Sequence, residues 1–233
     1  MSATATASSL HRAIHFYEAT NGKKAVMAVT GVILFAYVVG HLAGNLQVFA
    51  GDYGISINRY AEFLHSLGPL LWVVRFLLAA AVVLHIVASM QLWYLNHQAR
   101  PIPYCKKDDV PAAYAARTMK WSGPIIAAFV IFHILHLTTG DVLPLATTSE
   151  GGMDVYQNLI AGFSLWYVSA AYIVAVALIG LHLYHGIWSM FQSVGLSHPR
   201  YTPRLKLFAK VFAVAITAGY ISIPVAVMTG VVR

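Results

Sequence analysis

The sequence predicts an all-α membrane protein with five transmembrane helices, and three observations carry the prediction. Hydrophobic residues make up 59% of the chain and charged residues only 10%, whereas soluble domains carry about a quarter charged residues. Five apolar stretches each reach the roughly 20 helical residues that a bilayer core requires. The basic residues gather on one side of those stretches. Length alone would suit one or two domains. Composition gives a single membrane domain over residues 21–233, preceded by an N-terminal cytoplasmic segment over residues 1–20.

The first span is expected at residues 25–49, too late and too long for a cleaved signal peptide. Before it the chain is rich in Ser, Thr and Ala, then basic and aromatic (HRAIHFYEATNGKK, His11 to Lys24). Residues 1–9 are expected to lack regular structure. The remaining spans are expected at 70–96, 121–140, 164–192 and 207–230. Of the 15 Lys and Arg, 12 fall in or beside the N-terminal segment and the second and fourth connections. Only Arg59, Arg75 and Arg233 fall on the other side. The positive-inside rule then places the N-terminus in the cytoplasm and the C-terminus outside an inner (plasma) membrane. The third connection, residues 141–163, has acids at Asp141, Glu150 and Asp154 and no base, as an external loop should.

Several function classes are excluded. The net charge of +7 is spread along one membrane face, which suits membrane lipid or a soluble protein partner and not nucleic acid. The single Cys105 makes no internal disulfide and holds no iron–sulfur cluster. No Gly-rich phosphate loop, nucleophile elbow or paired carboxylates occur in the spans. The chain has no evident means of binding a nucleotide or a flavin.

The chemistry lies in the histidines. Six of the 11 fall within spans: His41, His85, His133, His136, His182 and His185. An ionisable side chain at membrane depth is costly and marks function by default. The spans echo one another. Thr30-Gly31 is followed by His41, ten residues after the glycine, and Ser122-Gly123 by His133 at the same spacing. Leu84-His85 is followed by Ser89, and Leu181-His182 by Gly186. The chain therefore reads as a two-span unit repeated, with a fifth span appended.

Because alternate spans run in opposite directions, His41 and His133 fall outward of the midplane, and His85 and His182 inward. At about 1.5 Å per residue the two pairs differ in depth by on the order of 10 Å. Two pairs of histidines on four helices suit two bis-histidine haem groups, one above the other, in a bundle formed by the first four spans. Small residues nearby (Gly40 and Gly44, Ala88 and Ser89, Gly180 and Gly186) admit a macrocycle, or simply close helix approach. A lone histidine is explained as well by an interhelical hydrogen bond; four at paired depths favour ligation. His136 and His185 lie one turn beyond His133 and His182. The spacings select His133 and His182 as ligands and leave the other two for contacts to propionate, quinone or a ligating ring.

The segments TG…GHLAGN (Thr30 to Asn45), VLHIVAS (Val83 to Ser89), SG…FH (Ser122 to His133) and LHLYHGIW (Leu181 to Trp188) together resemble a known family. It is the single-subunit, five-span, di-haem cytochrome b membrane anchor of succinate dehydrogenase and quinol:fumarate reductase (complex II). The resemblance runs from about His11 to the end of the chain. It implies two haem b groups, one held by His41 and His133 (outer) and one by His85 and His182 (inner). It implies partners as well: a flavoprotein subunit that handles succinate, and an iron–sulfur subunit docked on the cytoplasmic face. Electrons would pass to a membrane quinone, menaquinone by resemblance. The anchor itself is then a non-catalytic subunit. His136 and His185 have no counterpart in the family pattern.

For quinone or propionate contacts the candidates are Arg75, Glu62, His65, His136, His185 and Lys24. Arg75 either pairs with outer propionates or snorkels to the interface. Glu62 and His65 either relay protons to an outer quinone or face solvent. His15, Asn21 and Lys24 mark a competing inner site. The alternative reading is a di-haem cytochrome b serving a hydrogenase or formate dehydrogenase. A membrane hydroxylase with H-x-x-H pairs gathers its histidines at one depth, and a proton-coupled transporter would want intramembrane carboxylates.

Overall fold

A computed structural model describes residues 15–99 and 114–233. The described chain is all-helical, and five of its helices are long and apolar enough to cross a membrane. These are α1 (Thr20–Asn45, continued by a 3-10 turn, Leu46–Phe49), α3 (Pro69–Gln98), α4 (Tyr114–Leu137), α6 (Trp166–Ser193) and α7 (Thr202–Met228). Two short helices, α2 (Ile55–Ser66) and α5 (Val155–Phe163), lie in the connections. The expectation for residues 1–9 and the residues Arg12, Arg100, Cys105, Lys106 and Lys107 fall outside the described residues.

The ends of the helices differ from the apolar runs for local reasons. Pro69 and Pro203 sit in the first turns of α3 and α7, where a missing N–H costs nothing. α3 thus starts one residue, and α7 five residues, ahead of the apolar run expected for it. The third span is shifted towards the N-terminus: α4 starts at Tyr114 and stops at Leu137, three residues short of Gly140. Asp154 starts α5 by accepting from the Gln157 amide at 3.0 Å, and the extended backbone of Leu165 separates α5 from α6.

Backbone packing follows the order of the chain. α1 packs along α3, α4 along α6, and α6 along α7, while α1 also touches α6 and α7. Small residues set the closest approaches. A Cβ at Gly180 of α6 would collide with Thr217 of α7, and one at Gly219 of α7 would lie 2.9 Å from Leu42 of α1. The fifth span is therefore an integral part of the bundle: α7 buries Ala209, Ala213, Ile216, Ile223 and Val227. By contrast, α1 and α4 have no extended backbone contact, and neither do α3 and α6.

α2, α5 and the C-terminus close one end of the bundle. Asn58 of α2 donates to Asp154 at 3.0 Å and accepts from the Tyr156 amide at 3.1 Å, and the Tyr156 hydroxyl donates to the Arg233 carbonyl at 3.1 Å. Asn158 exchanges hydrogen bonds with both backbone groups of Ala146. Gly54, at φ +92°, turns the chain into α2 against the Tyr156 ring, where any side chain would collide. Val48, Ile57, Leu159, Phe163 and Val232 pack beneath this cap. At the other end Lys23 is buried, and its ammonium donates to the carbonyls of Tyr17 (2.9 Å) and Glu18 (2.7 Å). Tyr17 in turn donates to Gln91 of α3 at 2.8 Å.

Candidate functional site

The imidazoles meet between helices that share no extended backbone contact, α1 with α4 and α3 with α6. The rings of His41 (α1) and His133 (α4) lie 5.8 Å apart, centre to centre. The rings of His85 (α3) and His182 (α6) lie 6.2 Å apart. A metal bound at about 2 Å to one nitrogen of each imidazole sets two ring centres roughly 6 Å apart, so both pairs fit a shared iron. His85 also lies beside Thr30 and Gly31 of α1, ten or eleven residues before His41 on the same helix. At about 1.5 Å per residue the two pairs are separated by roughly 15 Å along α1.

The hydrogen bonds around the inner pair define a tautomer. Thr30 Oγ1 lies 3.2 Å from His85 Nδ1 and is 2.7 Å from the Val26 carbonyl. A hydroxyl has one hydrogen. Val26 takes it, so Thr30 accepts from His85 Nδ1–H, and Nε2 keeps its lone pair. His182 carries a different signal: its Nδ1 is buried and has no partner. Buried polar atoms are nearly always paired. An imidazole that binds a metal through Nε2 leaves Nδ1 for a neighbour to satisfy, and here that nitrogen is the orphan.

Around the outer pair, Tyr37 stacks on His41 at 5.3 Å and Tyr220 lies 6.2 Å away on α7. A cavity of about 120 Å³ opens beside His41 and His133 and is lined by Asn45, Thr138, Asn158 and Leu159. A second, of about 50 Å³, reaches from the same two histidines to Tyr172 and Tyr220. The Tyr172 hydroxyl is 3.2 Å from His133 Nδ1 and 2.9 Å from His136 Nδ1. His136 itself is only 1% exposed, stacks on Phe132 at 5.5 Å and packs against Gly162.

Most of the other candidates stand apart from these pairs, though Arg75 lies within electrostatic reach of Tyr37, which stacks on His41. Arg75 is half-buried, with its guanidinium 4.9 Å above the Trp72 ring. Glu62 and His65 are exposed on α2, and His65 Nδ1 bonds the Ala61 carbonyl of its own helix at 2.8 Å. His15, Asn21 and Lys24 are exposed and line neither cavity, and His15 lies 3.4 Å from Glu18. His185 is half-buried on α6, one turn from His182. The glycines divide between both sequence readings. Gly44 and Gly180 are filled by Tyr60 and Thr217, so they serve packing; a Cβ at Gly40 or Gly186 would meet nothing within 4 Å.

Sequence reasoning missed Tyr172 as a bridging residue, and it used Thr30 only as a marker of the repeat. Only the recurrence of a hydroxyl-glycine pair in the first and third spans hinted at a hydroxyl beside each inner imidazole. Comparison with family models, with curated proteins and with solved structures yields no match.

Proposed function

We propose that this chain is a di-haem cytochrome b, the membrane anchor of a succinate:quinone oxidoreductase of the complex II type. The observation that carries the reading is the pair of imidazole couples at 5.8 and 6.2 Å, each set between helices that stay apart. His41 and His133 would hold the outer haem b, and His85 and His182 the inner one. When bound, the haems would supply two one-electron carriers with no open coordination position. The chain's own part is to hold each ring pair in place, exclude water and set the ligand tautomers.

With the N-terminus read as cytoplasmic from the basic residues, an iron–sulfur subunit and a flavoprotein subunit would dock on that face. The cavity beside His41 and His133 is lined by Leu137, Met153, Val155 and Leu159, with Asn45, Thr138 and Asn158 as polar groups. That composition suits a quinone headgroup. A dithionite-minus-oxidised spectrum with a haem count on the purified chain tests the proposal. Two b-type haems per chain are expected, and none would overturn it. Co-purification with a flavoprotein, and not with a nickel or molybdenum subunit, separates this reading from a hydrogenase or formate dehydrogenase cytochrome.

A further inference from the structure

The phenol of Tyr172 faces two imidazoles at once. His133 Nδ1 lies 3.2 Å from its oxygen and His136 Nδ1 lies 2.9 Å from it. One hydroxyl hydrogen cannot serve two acceptors well, so one imidazole has to donate. A histidine that ligates through Nε2 carries its proton on Nδ1. His133 is then the donor to the Tyr172 oxygen, and the phenolic hydrogen goes to His136 Nδ1, across the shorter of the two distances.

His136 closes the chain of bonds. With Nδ1 accepting, its proton sits on Nε2, and that nitrogen is buried without a partner. It faces the backbone of α5 at Gly162, where an added Cβ would approach to 2.7 Å. Phe132 stacks on the same ring. The ring is confined on its edge and its face, so it holds the acceptor nitrogen towards Tyr172. The reverse order of protons would put a hydrogen on His133 Nε2 and remove it as a ligand.

We infer that Tyr172, oriented by His136, is a positioning residue that fixes the ligating tautomer of His133 and lowers the potential of the outer haem. The inference rests on the proposed di-haem reading. An imidazole that donates from Nδ1 is a more basic ligand, and a more basic ligand favours the oxidised iron. At the other pair the corresponding acceptor is the Thr30 hydroxyl beside His85 Nδ1, whose own hydrogen goes to the Val26 carbonyl. The two pairs therefore differ in the acceptor, a phenol held by a second imidazole at one and an aliphatic hydroxyl at the other.

The test is a redox titration of the detergent-purified chain, following the two haems by their α-band and by electron paramagnetic resonance. Tyr172→Phe is expected to retain two haems and to raise the potential of one. At a fixed ambient potential its reduced-to-oxidised ratio should rise about fivefold, the factor that one ordinary hydrogen bond carries. Should Tyr172→Phe not accumulate, His136→Leu removes the acceptor of the phenolic hydrogen and is expected to move the same haem in the same direction by less. Two haems with both potentials unchanged in either variant would overturn the inference and leave the di-haem reading intact. No haem in the unaltered chain would remove the reading itself.

Discussion

The Thr30 hydroxyl accepts a hydrogen bond from His85 Nδ1 across 3.2 Å, between α1 and α3. Its own hydrogen is committed to Val26 on the preceding turn. The bond joins the first two spans and fixes which imidazole nitrogen remains free. Thr30→Val keeps the shape and removes the acceptor. It is expected to raise the potential of the proposed inner haem, with about a fivefold change in its reduced-to-oxidised ratio. The outer haem should not move in the same titration.

Ser122 holds the position in α4 that Thr30 holds in α1, and its Oγ is buried without a partner, as is Nδ1 of His182 on the adjoining α6. Two orphans on packed helices, at positions whose counterparts are bonded, are expected to pair once His182 is ligated. Ser122→Ala should then shift the same haem as Thr30→Val. A shift in the other haem would break the correspondence between the two halves of the chain.

His182→Ala is expected to lose one haem, whereas His185→Ala keeps both. The same contrast is expected between His133→Ala and His136→Ala, because His136 packs against Phe132, Tyr172 and Gly162. Pyridine haemochrome quantification on the purified variants reads the outcome.

Gly162→Ala would bring a methyl group within 2.7 Å of the His136 ring. Neither α5 nor the confined imidazole has room to yield, so the change should destabilise the chain by about 1–3 kcal/mol. Thermal unfolding in detergent would register this as a lowered midpoint.

Asp52 lies outside the spans, before α2, and its carboxylate accepts the Ser56 amide at 2.9 Å and the Ser56 hydroxyl. These bonds, the hydroxyl's first, hold its pKa below the ordinary value of 3.8. A depressed folded pKa contributes stability that is present above the unfolded value and is lost as pH falls through the folded one. Relative to intrinsic exchange, the Ser56 amide should stay protected at neutral pH and lose protection below pH 3.8. Asp52→Ala should be unprotected throughout.

Glu150 is exposed in the acidic third connection. In a chain with Cys105 replaced by Ser, Glu150→Cys is expected to react with a membrane-impermeant maleimide in intact cells stripped of their outer envelope. It should be shielded in inverted vesicles. The opposite pattern would reverse the orientation drawn from the basic residues.

The spans were legible because bilayer thickness imposes a length on apolar sequence that no local effect overrides. α2 and α5 were not, since they have 12 and 9 residues and sit between apolar runs. Their starts depend on Gly54 and Asp154, whose partners Tyr156 and Asn58 are distant in sequence. The histidines stood out through their spacing, which needs only helical periodicity. Tyr172 did not, because its meaning comes from two imidazoles 36 and 39 residues away on another helix. Gly44 and Gly180 looked the same as Gly40 and Gly186 in sequence. Only Tyr60 and Thr217 distinguish those filled by a neighbour from those left open.

The pattern of helix contacts bears on biogenesis. Continuous backbone packing joins α1 to α3 and α4 to α6, which are neighbouring spans in order of synthesis. Each hairpin can therefore associate as soon as its second member leaves the translocon. The imidazoles meet only between hairpins, so a prosthetic group would be enclosed when the halves come together. α7, the fifth span, then seals the seam against α6 and α1.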